Sequence, residues 1–250
     1  MANTLIEEIY ASRKVLDADG APRDAFPASL PYPDGKALHT AITETKSLRT
    51  LEIGMAYGVS TLFMLQGLDE NGGGAHTAID PYQQRWWEGI GRLNVARGGY
   101  KSTFQCIEAP SFEALPRLVS EGQKYDFIFL DGNHRFEFTL VDFFYADKLL
   151  NVGGWVMLHD VWLPSIRKIV SYISRNERGY YVVDPTFNGP PCRGLSFWRL
   201  YLQTLRSAPF DLLPAYFYAM RRYQRYCVLQ KKQEHNPEEL DADWNYYRPF

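Results

Sequence analysis

One short stretch decides the fold of this chain: Leu51-Glu-Ile-Gly-Met-Ala-Tyr-Gly58. A brief apolar run ends at Gly54, and a helical pattern of apolar residues starts near Gly58 and continues to Gly67. Glycine removes the side chain where a backbone must turn tightly or pass close to another group. The stretch therefore predicts a buried strand, a tight turn and a helix, which is the repeating unit of a parallel sheet.

The same alternation of apolar strand and amphipathic helix continues through residues 48–200. The further strands are predicted at His76–Asp80, Thr103–Ile107, Tyr125–Leu130 and Gly154–His159, followed by a final pair at Tyr180–Val183 and Leu195–Leu200. Strands that are apolar throughout and separated by helices are typical of a parallel sheet covered on both faces. We predict an α/β fold, a doubly wound and mostly parallel sheet with helices on both faces.

The residues on either side of this region are predicted to be additions to the sheet domain. Residues 1–47 should form a helix at Leu5–Leu16, a proline-rich loop at Pro22–Pro33 and a helix at Lys36–Lys46. The loop is either a lid over the site or a mobile connector. Residues 201–250 should form an aromatic and basic helical extension, which mediates homo-oligomerisation, contacts a membrane surface or packs on its own domain. We predict the first, because the acidic tail neutralises the positive charge that a membrane would need.

The composition argues against several classes of protein. The 250 residues carry 27 basic and 29 acidic side chains, and this net charge of −2 argues against nucleic acid as a partner. The three cysteines form no CxxC pair, so neither a disulfide framework nor a zinc cluster is indicated. No apolar run is long enough for a transmembrane segment, and the N-terminal residues lack a secretory signal, so a cytoplasmic protein is expected.

In a doubly wound sheet the ligand binds beyond the carboxyl ends of the strands. After the first strand the dinucleotide pattern GxGxxG fails, because Ala56 and Val59 stand where it needs glycine. A nicotinamide enzyme is therefore disfavoured, although the helix start near Gly58 could bind a carboxylate. Asp80, after the second strand, either accepts hydrogen bonds from ribose hydroxyls or caps a helix, and Ser111, after the third, either caps a helix or contacts an adenine.

Polar side chains gather after the fourth and fifth strands, which should be neighbours in the sheet. Asp131 and His134 follow the fourth strand, and His159 and Asp160 follow the fifth. The side chains of Asp131, His159 and Asp160 could together hold a divalent metal ion. The ordinary pKa of a histidine, about 6.5, would suit His134 as a general base. Either histidine could instead be a structural residue.

Taken in order, these motifs resemble those of the class I S-adenosylmethionine-dependent methyltransferases. The set comprises Glu52-x-Gly54-x-x-x-Gly58, Asp80-Pro81, Ser111, Asp131 and Gly153-Gly154. The resemblance implies S-adenosylmethionine as cofactor and a seven-stranded sheet whose last strand is antiparallel. It implies cofactor contacts near the amino group, the ribose and the adenine from Glu52, Asp80 and Ser111, respectively. The further residues implied to contact the cofactor are Gly54, Met55, Gly58, Ser60 and Asp131.

The later motifs are most similar to those of the metal-dependent O-methyltransferases, which include catechol-type enzymes and enzymes that methylate antibiotic sugars. This resemblance implies methyl transfer to a hydroxyl of a small molecule, such as a sugar, a catechol or another natural-product diol. It implies His134 as general base and Asp131, His159 and Asp160 around Mg²⁺ or another divalent ion. His159 departs from the family pattern, which has an acid at that place. The alternatives are an N-methyltransferase that needs no metal and a non-catalytic interaction module of the same fold.

Overall fold

The computed structural model describes residues 2–177, 181–183 and 225–234. The helices are α1 (Ala2–Ser12), α2 (Tyr32–Glu44), α3 (Val59–Glu70), α4 (Ile90–Arg97), α5 (Ser111–Ser120), α6 (Phe136–Leu149) and α7 (Pro164–Asn176). The strands are β1 (Lys14–Leu16), β2 (Pro22–Asp24), β3 (Arg49–Ile53), β4 (Ala75–Ile79), β5 (Phe104–Ile107), β6 (Tyr125–Leu130), β7 (Leu150–His159), β8 (Tyr181–Val183) and β9 (Tyr226–Lys231). Among the helices in these ranges, none combines the length and the apolar character that crossing a membrane requires.

Seven of the strands form one sheet with the order β5-β4-β3-β6-β7-β9-β8. The strands β3 to β7 pair in parallel, whereas β9 is antiparallel to both β7 and β8. The chain runs outward from β3 to β5 and then returns to β6 on the other side of β3. The strand order therefore reverses between β3 and β6, which is where ligands bind in such sheets. The predicted doubly wound, mostly parallel α/β fold is confirmed.

Helices cover both faces of the sheet, which explains why its strands are apolar throughout. Within β6, Ile128 and Leu130 pack with α5, α6 and α7 on one face, while Phe127 and Phe129 pack with α2, α3 and α4 on the other. None of these four side chains is more than 5% exposed. Because full burial of a side chain of this size stabilises a fold by about 1.5–3 kcal/mol, the central strands anchor the domain.

The N-terminal segment departs from the prediction after its first helix. The helix predicted at Leu5–Leu16 ends at Ser12, where Arg13 takes a left-handed conformation (φ 61°), and β1 and β2 follow as an antiparallel hairpin. Val15 in this hairpin is buried and packs in a cluster with residues of α1 and α3. The proline-rich loop ends earlier than predicted, because Pro33 lies in the first turn of α2, where proline is tolerated.

The last strand of the sheet does not lie where the sequence pattern predicted it. The predicted strand Leu195–Leu200 lies outside the described residues. The structure instead places the antiparallel strand β9 inside residues 201–250, the segment predicted as a helical extension. The predicted domain boundary at residue 200 is therefore corrected, because the sheet is completed from beyond it. Val228 and Leu229 of β9 are fully buried, so this short apolar run belongs to the core.

Lys231 of β9 contributes to the basic character of residues 201–250, yet it is buried in the structure. Its side chain is fully buried, and its Nζ donates to the backbone oxygens of Asp147 (2.7 Å) and Leu150 (3.4 Å) and to the Glu234 carboxylate (2.7 Å). A buried ammonium group is tolerated only when it is paired and hydrogen-bonded, as it is here. Residues 201–224 and 235–250 lie outside the described residues, so the predicted helix there and its role in homo-oligomerisation stay predictions.

Candidate active site

A cavity of about 470 Å³ opens at the carboxyl ends of β3, β4 and β6, where the strand order reverses. Its volume lies in the range of small-molecule and cofactor sites. Its walls come from the glycine-rich turn after β3, the loops after β4, β5 and β6, and a segment before α2. Of the residues predicted to contact a cofactor, those that line it are Gly54, Met55, Ser60, Asp80, Ser111 and Asp131.

The turn after β3 has the close approach that its glycines predicted. Gly54 has a φ of +92°, and a Cβ there would lie 2.3 Å from the backbone oxygen of Asp131. Gly58, with a φ of +75°, is the residue that caps the N-terminus of α3, although it does not itself line the cavity. No side chain fits at Gly54, so the turn can bring the start of α3 up to a ligand.

Asp80 holds this turn in shape as well as lining the cavity. Its Oδ2 accepts hydrogen bonds from the backbone N–H groups of Met55 (3.1 Å) and Ala56 (2.8 Å), and its Oδ1 accepts one from Tyr82 (2.8 Å). Gln83 adds a further bond to the same turn, from its Nε2 to the backbone oxygen of Ala56 (2.7 Å). An ionised carboxylate has about four acceptor positions, so Asp80 keeps capacity for a ligand hydroxyl.

Glu52 does not reach the cavity, in contrast to the prediction that it lies near the cofactor's amino group. Its side chain is fully buried, and its Oε2 accepts a hydrogen bond from Thr61 Oγ1 (2.5 Å) and lies 3.3 Å from His76 Nε2. His76 is itself held by Thr50 across the β3–β4 pair (2.8 Å). Glu52 therefore braces β3, β4 and α3 from the interior of the domain.

Ser111 lines the cavity at the start of α5 and has a buried partner that the sequence pattern did not single out. That partner is Asp142 of α6, which is 3% exposed and whose Oδ1 has no hydrogen-bond partner among the described residues. Burial raises the pKa of Asp142 to about 6, against a smaller lowering by the hydrogen bond with Ser111. With its proton directed to Asp142, the Ser111 hydroxyl can accept a hydrogen bond from a ligand.

The loops after β6 and β7 bring together the polar residues that the sequence predicted there. His134 Nε2 lies 3.1 Å from Asp160 Oδ2 and 3.5 Å from Asp131 Oδ1. The two loops are also joined by Ser165, whose Oγ donates to the backbone oxygen of His134 (2.6 Å). Asp160 takes a left-handed conformation (φ 51°), a strained choice for a residue with a Cβ and one that concentrates at functional sites.

The charges in this cluster shift the titration of its members. The contacts with Asp131 and Asp160 raise the pKa of His134 to about 9, so its ring is protonated at neutral pH in this arrangement. Burial alone would raise the pKa of Asp131, but His159 and His134 hold it at about 2. The ordinary histidine pKa assumed from the sequence therefore does not apply to His134.

His159 lies between two carboxylates. Its Nδ1 is 3.1 Å from Asp131 Oδ1, and its Nε2 is 3.2 Å from Asp34 Oδ2. Both nitrogens therefore face carboxylates, and the role of His159 as a metal ligand stays a prediction. Although burial opposes charge on this ring, Asp131 and Asp34 raise the pKa of His159 to about 10.

Asp34 and Arg225 belong to this network and were not predicted from the sequence. Asp34, in the first turn of α2, is 1% exposed, and its Oδ1 lies 3.2 Å from the Nε of Arg225, just before β9. An acid in the first turn of a helix is common for electrostatic reasons alone, so Asp34 gives no signal in the sequence. Arg225 lies in the segment that was predicted to be a separate extension.

A metal ion would fit the cluster with His134 in place of His159. One ligand atom from each of Asp131, His134 and Asp160 lies within 4.8 Å of the other two. Two carboxylates and one imidazole form a donor set that suits a divalent ion and leaves positions for other ligands. His134 is thus placed either as a base or as a ligand.

Aromatic side chains surround the mouth of the cavity. Tyr82 and Trp86 are stacked with their ring centroids 3.7 Å apart, and Trp87 packs edge-on against Tyr57. All four line the cavity, and Trp86 is 56% exposed. Trp162 is instead part of the polar cluster, because its Nε1 donates to Asp160 Oδ1 (2.7 Å).

Comparison with known protein sequences agrees with the ordered motifs. Residues 51–161 match a family described as a methyltransferase domain. The catechol O-methyltransferase of Mycobacterium tuberculosis is 26% identical over 153 residues, which cover 61% of this chain and 64% of that protein. The catechol O-methyltransferase of Niastella koreensis is 30% identical over 100 residues, which cover 40% of this chain and 43% of that protein. The chain thus spans less than two thirds of each of these relatives.

Solved structures of similar fold include proteins described as O-methyltransferases. The O-methyltransferase of Bacillus cereus in complex with S-adenosylhomocysteine superposes with a TM-score of 0.56 at 15% identity, covering 92% of this chain and 91% of that one. The O-methyltransferase TomG of Streptomyces achromogenes, in complex with S-adenosylmethionine, superposes with a TM-score of 0.54 at 16% identity, covering 93% and 89%. At these identities the match shows a shared fold. The resemblance inferred from the motifs is therefore confirmed: residues 51–161 match a methyltransferase domain, and the chain is similar to proteins named as O-methyltransferases.

Proposed function

We propose that this chain is an S-adenosylmethionine-dependent O-methyltransferase that acts on a hydroxyl group of a small molecule. The position of Asp131 carries the proposal, because this residue lines the cavity and its carboxylate also lies 3.5 Å from His134. A group that can take up a proton therefore adjoins the space proposed for the methyl donor. The relatives named as catechol O-methyltransferases support the same reaction.

The cavity offers partners for each part of the proposed cofactor. The N-terminus of α3, reached through the turn from Gly54 to Gly58, presents N–H groups and a positive dipole to a carboxylate. Asp80 can accept a hydrogen bond from a ribose hydroxyl while it still holds the turn. Ser111 and Tyr82 line the same wall as Asp80 and would lie beside the adenine.

In the proposed reaction the acceptor oxygen attacks the methyl carbon and the bond from that carbon to sulfur breaks. The sulfonium becomes a neutral thioether, and the hydroxyl proton passes to a base. Neutral His134 is the proposed base, since it lies beside Asp131, which lines the cavity. Because Asp131 and Asp160 raise the pKa of His134 to about 9, turnover of chelator-treated protein should rise with pH towards that value.

Asp131, His134 and Asp160 would hold the divalent ion that the resemblance implies. A bound divalent ion lowers the pKa of a coordinated hydroxyl and orients a substrate that chelates it. Within this chain, His159 contacts Asp131 and Trp162 donates to Asp160, and these contacts would orient the two carboxylates. The two possible roles of His134, base and ligand, make opposite predictions for added metal.

We infer that the acceptor is a sugar, a catechol or another diol. The exposed rings of Trp86 and Phe112 at the cavity suit stacking against an aromatic or sugar ring. Such an acceptor would place the reaction in natural-product or carbohydrate biosynthesis, and we propose a cytoplasmic site of action.

The first test is calorimetric titration of the full chain with S-adenosylhomocysteine, with NAD as control, in the presence and absence of Mg²⁺ and Mn²⁺. Micromolar binding of S-adenosylhomocysteine and none of NAD would support the cofactor assignment. Absence of S-adenosylhomocysteine binding under all conditions would reject the enzyme and favour a non-catalytic interaction module.

The second test is turnover of diols, catechols and sugars by the wild type and by His134→Gln, with His39→Gln as matched control. His39 pairs with Glu70 at the C-terminal end of α3, so its replacement should leave turnover intact. His134→Gln should lower turnover sharply and leave S-adenosylhomocysteine affinity unchanged. Stimulation of the wild type by Mn²⁺ would assign His134 as a ligand, whereas activity in chelator would assign it as the base. Methylation confined to amines would replace the O-methyltransferase proposal by N-methylation.

A further inference from the structure

His159 connects two carboxylates that come from distant parts of the chain. Its Nδ1 lies 3.1 Å from Asp131 Oδ1 at the end of β6, and its Nε2 lies 3.2 Å from Asp34 Oδ2 in α2. The His159 and Asp34 side chains are only 5% and 2% exposed, so water does not compete strongly for these bonds. An ionised carboxylate only accepts hydrogen bonds, and both ring nitrogens of His159 therefore act as donors.

The network has a definite end on the side away from the cavity. Asp34 Oδ1 lies 3.2 Å from the guanidinium Nε of Arg225, so the carboxylate is engaged through both of its oxygens. The charges alternate along the series Arg225, Asp34, His159 and Asp131. A buried charge network of this kind is costly unless every member is paired, and here each member is paired with the next.

We propose that Asp34 is a positioning residue for methyl transfer: through His159 it fixes the orientation of the Asp131 carboxylate beside the cavity and His134. The inference rests on the proposed function, since it concerns the geometry of that reaction. Asp131 is the only member of the series that lines the cavity. Without Asp34, the His159 ring is held from one side only, and Asp131 loses its fixed partner.

The effect should appear in catalysis more than in binding of the cofactor. Misplacing a reacting group by about 1 Å can lower a rate by about a hundredfold, even when the altered residue does not touch the substrate. The cofactor contacts proposed for Gly54, Asp80 and Ser111 do not involve Asp34. Asp34 of α2 would thus contribute to catalysis, although it lies outside the residues 51–161 that match the methyltransferase domain.

The test compares Asp34→Asn, Asp34→Ala and the control Asp126→Asn in the full chain. Asp126 is a carboxylate at the amino end of the central strand β6, away from the cavity, where it accepts hydrogen bonds from the backbone N–H groups of Leu48 and Arg49. Asparagine at position 34 keeps an oxygen for His159 but loses the charge that pairs with Arg225. We expect kcat to fall at least about tenfold in Asp34→Ala and less in Asp34→Asn, with the S-adenosylhomocysteine Kd unchanged.

A second readout does not require turnover. Long-range ¹H–¹⁵N spectra report the protonation of each imidazole ring, and the chain has only five histidines, which single substitutions can assign. In the wild type both nitrogens of His159 should carry protons, and the Nε2 proton signal should be lost in Asp34→Ala. Thermal unfolding identifies any variant that fails to fold. If Asp34→Ala does not fold, the proposal is judged on Asp34→Asn.

The outcomes separate the two proposals. A wild type that binds S-adenosylhomocysteine but methylates no acceptor would overturn the proposed function, and the positioning role would fall with it. An active wild type whose Asp34 variants keep the wild-type kcat would overturn the positioning role alone. The positioning role would also be overturned if the Asp34 variants lost no more kcat than Asp126→Asn does, because such a loss would reflect only lower stability. A selective loss of kcat together with the altered His159 spectrum would support it.

Discussion

Replacing Asp142 with asparagine should change how the stability of this protein depends on pH. The side chain of Asp142 is 3% exposed, and burial raises its pKa from 3.8 to about 6. The folded protein thus binds this proton more tightly than the unfolded chain does. Stability that comes from the protonated carboxyl is full below about pH 4 and is lost as the pH rises through about 6. Asparagine has no proton to lose in this range.

The magnitude follows from the size of the shift. A shift of about two units corresponds to about 3 kcal/mol, at about 1.4 kcal/mol per unit. An asparagine amide would itself be buried with an unpartnered N–H, which costs about 1–3 kcal/mol at every pH. That cost does not vary with pH. The informative quantity is therefore how the difference in unfolding free energy between the variant and the wild type changes with pH. Between pH 4 and pH 8, the free energy of unfolding of the variant should rise by about 3 kcal/mol relative to that of the wild type.

Urea unfolding followed by tryptophan fluorescence at several pH values would measure this difference. Asp126→Asn is a suitable control, because Asp126 accepts hydrogen bonds from two backbone N–H groups and its replacement should destabilise the fold. Parallel stability curves for the wild type and Asp142→Asn would refute the reasoning. They would mean that Asp142 is ionised in the folded state at little cost, with a partner that satisfies its Oδ1.

Three other substitutions test separate features of the fold. Gly54→Ala should abolish binding of S-adenosylhomocysteine in calorimetry, because its Cβ would lie 2.3 Å from the Asp131 backbone oxygen; near-normal affinity would show that the turn can move aside. Lys231→Met should lower the free energy of unfolding in urea by about 2–4 kcal/mol, since it leaves buried oxygens without their ammonium partner. A decrease of less than about 1 kcal/mol in this free energy would mean that water molecules donate hydrogen bonds to those oxygens in the variant. Arg23→Ala should leave the free energy of unfolding almost unchanged in the same assay, because Arg23 and Glu88 are 44% and 49% exposed, and a clear loss would assign the hairpin a structural role beyond this pair.

The parts of the fold that the sequence predicted are those in which local pattern and burial agree. Tyr125–Leu130 was predicted with the bounds observed, because both faces of β6 are covered and every position but one is buried. β9 was missed because the five residues that pair with β7, far back in the chain, carry no local signal for that pairing. The burial of Lys231 also depends on its tertiary partners, which composition does not disclose.

The loops that carry the predicted site line one cavity, but not every predicted side chain reaches it. A motif gives the position of a residue along a strand, whereas the alternation of the strand decides which face its side chain takes. Leu51 and Ile53 face α5 and α6, so Glu52 points to the opposite face and into the interior. The same alternation in β7 directs His159 towards α2, where Asp34 pairs with it. The partner itself is 125 residues away in the chain, so it could not be predicted from spacing.

The late position of β9 in the chain has a consequence for synthesis on the ribosome. β7 is complete at residue 159, yet the strand that pairs with its outer edge is not made until residues 226–231. At about 5–20 residues per second, that interval lasts several seconds. During this time the nascent domain presents an unpaired, apolar strand edge, the feature from which aggregation starts. Demand for a chaperone should therefore be greatest while this intervening segment is being translated, and slowing translation there should lower the yield of soluble protein.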